Sequence, residues 1–161
     1  MRGARAESSA PAGRELRGHA ELMAVFASLL AVFGTWFARS GRTLPERVGL
    51  GDLALLTLGT HKLARLLAKD RATSVLRAPF VHARGAGGPG EVEETPAGRG
   101  LRRAVGELVT CPYCIGMWVA SALAGGLLVA PRATRWAAAV LAALTGADVL
   151  QILYRRLEDT L

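Results

Sequence analysis

The sequence predicts an all-α membrane protein with four transmembrane helices, at about 22–38, 48–68, 115–130 and 136–154, and a long cytoplasmic loop between the second and third. Three observations predict it. Apolar residues make up 51% of the chain and gather into four blocks. Most of the 20 Lys and Arg residues fall between those blocks. Trp36, Trp118, Trp136 and Tyr154 stand at block ends, where amphipathic rings anchor a helix at the membrane–water boundary. A net charge of +7 would also suit a nucleic-acid binder. Such a protein collects its charge on one soluble face among stacking aromatics, whereas the few aromatics here close apolar blocks. The expected partner is therefore the lipid bilayer and no nucleic acid.

Residues 1–20 are polar and Arg-rich and are expected to form a mobile N-terminal arm. The block that follows ends in Trp36-Phe37-Ala38-Arg39, which lacks the small residues of a signal-peptide cleavage site. The first block is short for a hydrocarbon layer of about 30 Å, but flanking residues can lengthen it. The second block has sufficient length and carries Asp52, His61, Lys62 and Arg65. His61, Lys62, Arg65 and Lys69 share one arc of a helical wheel, so a basic amphipathic helix lying in the interface is the alternative to a span. The uncharged run 53–60 favours insertion.

The polar segment 69–110 separates the second and third blocks. Within it, 82–100 is rich in Gly, Pro and Glu and is expected to be a flexible, disordered loop. Residues 101–109 have the pattern of a short amphipathic helix near the bilayer surface. The third and fourth blocks are joined by Pro131-Arg132-Ala133-Thr134-Arg135, a turn that makes them an antiparallel hairpin. The helical domain thus covers 21–155, with 156–161 as a C-terminal tail. No internal repeat and no strand pattern is visible.

With four spans, both termini and the 69–110 segment share one side. Arg2, Arg5, Arg14, Arg17, Lys69, Arg71, Arg77, Arg84, Arg99, Arg102, Arg103, Arg155 and Arg156 lie there. Arg39, Arg42, Arg47, Arg132 and Arg135 lie on the other side. The excess of basic residues marks the cytoplasm, so both termini of this multi-pass cell-membrane protein are expected inside.

Chemistry has two candidate locations. In Cys111-Pro112-Tyr113-Cys114, Pro112 suits the first position of a helix, with Cys111 as its N-cap and Cys114 in its first turn. Thiols at a helix N-terminus are acidified by the free N–H groups. The pair can be structural, redox-active or half of a zinc site completed by His61, His82, a carboxylate or a second subunit. Its spelling matches the glutaredoxin active site, but the βαβ frame of that fold is missing from the pattern. The second location is intramembrane charge. Lys62, Arg65 and Asp148 are each expensive in lipid. In the four-span layout the second and fourth blocks both run toward the cytoplasm, which puts Asp148 at the depth of Lys62 and Arg65. Asp148 is expected to face one of them, with Gln151 one turn along. Glu107 and Arg77 are expected nearer the surface end of this polar cluster. Small residues at helix-packing spacing, including Ala139, Ala143 and Ala147, suit intrachain packing or a dimer.

Several motifs occur in one order: His61-Lys62-Leu63-Ala64-Arg65, Leu76-Arg77-Ala78-Pro79-Phe80, Gly106-Glu107-Leu108, Cys111-Pro112-Tyr113-Cys114-Ile115-Gly116-Met117-Trp118 and Gly146-Ala147-Asp148. Over about residues 50–155 the chain resembles the bacterial domain-of-unknown-function 1360 family of membrane proteins. The resemblance implies a multi-spanning bacterial inner-membrane protein and supplies no biochemical activity. The sequence alone therefore favours a non-enzymatic membrane protein acting through a partner or as a homo-oligomer. A thiol-redox or metal-binding protein is the first alternative, and a small transporter or channel component the second.

Overall fold

A computed structural model describes residues 9–160. The elements in order are α1 (Ser9–Arg39), α2 (Leu50–Lys69), α3 (Ser74–Arg77), β1 (Val81–Ala86), β2 (Val92–Pro96), α4 (Leu101–Thr110), α5 (Pro112–Val129) and α6 (Pro131–Glu158). Among the described residues, three stretches are long and apolar enough to cross a membrane: Glu15–Arg39 of α1, all of α5 and all of α6. Only 6% of each apolar window is buried within the chain. Helices this apolar and this exposed have lipid as their natural surrounding. By length α2 would join them, but Asp52, Lys62 and Arg65 keep it outside that group.

The fold is not all-α. The segment expected to be a flexible loop at 82–100 contains an antiparallel hairpin, in which Val81 pairs with Pro96, His82 with Thr95 and Ala86 with Val92, with a bulge between Ala83 and Gly85. Two turn hydrogen bonds close it, from Gly87 N–H to the Glu91 carbonyl and from Glu91 N–H to the Gly88 carbonyl. Gly90, at φ +77°, supplies a backbone conformation that a side chain resists. Two other boundaries differ from expectation. Helix α1 begins at Ser9, inside the expected N-terminal arm, whose residues 1–8 lie outside the described residues. Helix α6 starts at Pro131 and runs to Glu158, so the expected turn 131–135 is its first turn and the break falls on Ala130 alone.

The chain divides into two compact units, with boundaries at Thr43/Leu44, Leu66/Leu67 and Cys111/Pro112. In the first, α4 packs on α1 and on β2. Small residues make this close approach feasible. A methyl group on Gly18 would lie 2.7 Å from the Gly100 carbonyl oxygen, and one on Gly106 would lie 2.5 Å from that of Phe80. Val81, Ala97 and Ala104 form the small apolar core, and Arg102 anchors the start of α4 by donating twice to the Pro79 carbonyl, at 3.0 and 2.8 Å.

In the second unit α5 and α6 form a hairpin, and α2 lies beside α6. Thr134 fills the space over Gly126, where a methyl group would come within 2.7 Å of its hydroxyl. Gly59 lies buried against Ala138.

Candidate functional site

Helices α2 and α6 are tied by polar contacts at both ends. Near the start, Arg135 donates to both carboxylate oxygens of Asp52, from Nε and from Nη2, each at 2.7 Å. A planar fork on a carboxylate is the strongest geometry available to such a pair. In the middle, the Thr145 hydroxyl donates to the Leu58 carbonyl at 3.3 Å and to its own Leu141 carbonyl at 3.1 Å. Toward the end, Lys62 Nζ lies 2.6 Å from Asp148 Oδ2. The partners climb together along both helices, so α2 and α6 run in the same direction. The acid sits on α2 at one end and on α6 at the other, so exchanging the partners would set Asp52 against Asp148 and Lys62 against Arg135, both like-charge pairs. Lys62 is well enclosed at 15% side-chain exposure, whereas Asp148 keeps 47%.

Arg77 occupies a second site, in the other unit. Its side chain is 2% exposed and that of its partner Glu94 is 5%. Arg77 Nε donates to Glu94 Oε2 at 2.5 Å. Its two terminal nitrogens donate to the carbonyls of Leu67 and Asp70 and to the Thr73 hydroxyl, at 2.8, 2.9 and 2.7 Å. The last carbonyls of a helix have no partner of their own. Arg77 therefore caps the end of α2 with a buried cation and hands the remaining charge to strand β2. A lysine has one nitrogen and no fork, so it cannot reach this set.

A third group links α1 to α4. Glu107 accepts from Arg103 Nε at 2.9 Å and from His19 Nε2 at 2.9 Å, and Arg103 also faces Glu15 at 3.5 Å. These residues are half-exposed, and their pairs are correspondingly weak.

Cys111 ends α4 in an extended conformation, and Cys114 lies in the first turn of α5, which opens on Pro112 as expected. The two sulfurs are disulfide-bonded, so neither is a thiol here. Zinc would require both as thiolates. Among the described residues no three His, Cys, Asp or Glu side chains converge as metal ligands would. His61 is exposed on α2.

The residues singled out from sequence thus fall into separate groups. Lys62 and Asp148 come together, and Arg65 stands exposed one turn after His61 and Lys62. Gln151 is exposed on α6, without a side-chain hydrogen bond among the described residues. Arg77 and Glu107 each belong to a network of the other unit. Sequence reasoning missed Glu94, Asp52 and Arg135. Asp52 and Arg135 were accessible to it, because both stand near the starts of their helices and the depth matching applied to Lys62 and Asp148 pairs them equally. Glu94 carried no signal beyond being one of three glutamates in a polar run.

Residues 55–154 match the family described as protein of unknown function (DUF1360). The chain is also similar to a sporulation protein, YjcA, of Bacillus subtilis (strain 168), at 34% identity over 104 residues, covering 63% of this chain and 88% of the relative. No solved structure matches.

Proposed function

We propose, from the premise that the chain belongs to the DUF1360 family of unknown function, that it is a four-span bacterial inner-membrane protein working through association rather than catalysis. One observation carries the fourth span. Two of the three charges that keep α2 from qualifying by composition are met by α6, Asp52 by Arg135 and Lys62 by Asp148. A helix running alongside a membrane-crossing neighbour, with two of its charges matched in pairs, can cross with it at lower cost than alone. Four spans return the C-terminus to the side of the N-terminus. The excess of basic residues on that side favours a cytoplasmic location for both ends and for the segment between α2 and α5.

The test is a set of reporter fusions to the full chain at its two ends and after residues 45, 90 and 133. Cytoplasmic signals at both ends and at 90, with external signals at 45 and 133, are expected. Ends in different compartments would refute the four-span reading. The association reading rests on the largely uncovered apolar surface of the helices. It predicts that the full chain, cross-linked in native membranes, yields a defined larger species; a chain that stays monomeric in membranes and in mild detergent would refute it.

A second reading, thiol–disulfide exchange, is favoured by the bond between Cys111 and Cys114. Maleimide trapping in intact cells tests it. A pair whose redox state follows that of the cell supports exchange, and a pair unmoved by reductant or oxidant stress leaves only a structural cross-link.

A further inference from the structure

We infer that α6 presents a self-complementary seam to the α6 of a second copy of this chain, locked by Gln151. The inference rests on the reading that α6 crosses the membrane.

Ala137, Val140, Leu144, Ala147, Gln151 and Tyr154 follow one another at spacings of three and four, a period of 3.5. This is the repeat with which two helices pack side by side in a left-handed crossing, in membranes as in water. On a helical wheel the six fall within an arc of about 100°. All six are exposed. The residues that α6 turns to its own unit, Thr134, Ala138, Thr145 and Asp148, lie on a different arc, so using the seam leaves the contacts with α2 and α5 intact.

Apolar exposure alone would leave lipid as the occupant of this face. Gln151 argues against lipid. With Trp136 and Tyr154 as the boundary residues, the centre of the span falls at about residue 145, and Gln151 lies roughly 9 Å from it. The hydrocarbon half-layer is about 15 Å deep. The primary amide therefore stands in hydrocarbon, flanked by exposed Leu150 and Ile152, with two donors and an acceptor and no partner among the described residues. Side chains of this kind are satisfied in a bilayer by a neighbouring helix. The amide is self-complementary, since its N–H group can meet the carbonyl of the same residue on a two-fold related helix. A second copy supplies every group required, at matched depth, without any further component.

The experiment compares two single-cysteine variants of the full chain, A147C on the seam and V149C on the opposite side of the helix, each with C111S and C114S, cross-linked by oxidation in native membranes. The seam variant is expected to form dimers and the control is not. In the chain with its native cysteines, energy transfer between labelled copies should fall with Q151L, the apparent association weakening about fivefold to thirtyfold, and should persist with Q151N. Equal cross-linking at 147 and 149, cross-linking of 147 only to a different protein, or an unchanged Q151L would overturn the inference. A failure of the span itself is read separately: if α6 lies outside the bilayer, both cysteines react with a membrane-impermeant maleimide.

Discussion

Neutralising Glu94 tests whether the buried pair with Arg77 holds the hairpin to the end of α2. In Glu94→Gln the amide keeps one acceptor for Arg77 Nε but removes the counter-charge from a guanidinium that is 2% exposed. The three remaining acceptors, two carbonyls and a hydroxyl, are neutral. Removing one partner of a buried ion pair costs about 3–5 kcal/mol, most of it the penalty of the stranded charge. A change that large converts to a roughly hundredfold to several-thousandfold rise in local opening. Hydrogen exchange of the full chain in detergent reads it at the Ala97 amide, which donates to the Phe80 carbonyl, and at the Arg71 amide, which donates to Gly90. The α5 and α6 amides should keep their rates. Replacing both partners, Arg77→Met with Glu94→Leu, should recover most of the protection, because an apolar pair carries no desolvation penalty. Exchange within about threefold of the parent in Glu94→Gln, or a double variant no better than the single one, would refute the reasoning.

Gly106→Ala forces a methyl group to 2.5 Å from the Phe80 carbonyl oxygen and 3.1 Å from Pro96, so it should lower stability by about 1–3 kcal/mol in a thermal or denaturant transition. Gly116→Ala, with nothing within 4 Å, should be neutral or slightly stabilising in the same measurement. Lys62→Met leaves Asp148 without its cation and should destabilise by about 2.5–3.5 kcal/mol in detergent–bicelle unfolding, with Lys62→Met/Asp148→Leu recovering much of the loss. Intact mass after maleimide treatment should show no adduct without reductant and an adduct on both Cys111 and Cys114 after reduction.

The apolar helices were legible because membrane helices announce themselves by length and composition, and the Lys62–Asp148 contact followed from matching depth along two helices that run the same way. The start of α5 at Pro112 and the amphipathic α4 followed from local rules of helix capping and periodicity. The hairpin was hidden for a physical reason. Val-His-Ala-Arg-Gly-Ala alternates over only four residues before Gly85, and Val-Glu-Glu-Thr-Pro does not alternate; most of these positions are exposed or only partly covered, so neither carries a clear apolar face. Their pairing depends on a Gly-Gly-Pro-Gly turn and on a tertiary contact from Arg77 that no local pattern encodes. The turn dipeptides are present in the sequence, but a Gly-rich polar run suits a turn and disorder equally until something buries one end.

The single residue between α5 and α6 has a consequence for how the chain is made. Ala130 leaves no slack: its N–H still bonds back to Gly126, and its carbonyl already receives Thr134. During synthesis the second helix cannot wait outside while the first settles. In the four-span orientation the pair must be delivered together, dragging Arg132 and Arg135 through the low-dielectric layer to the far side. Asp52, brought across beforehand by α2, would then be the receptor that captures Arg135 on arrival.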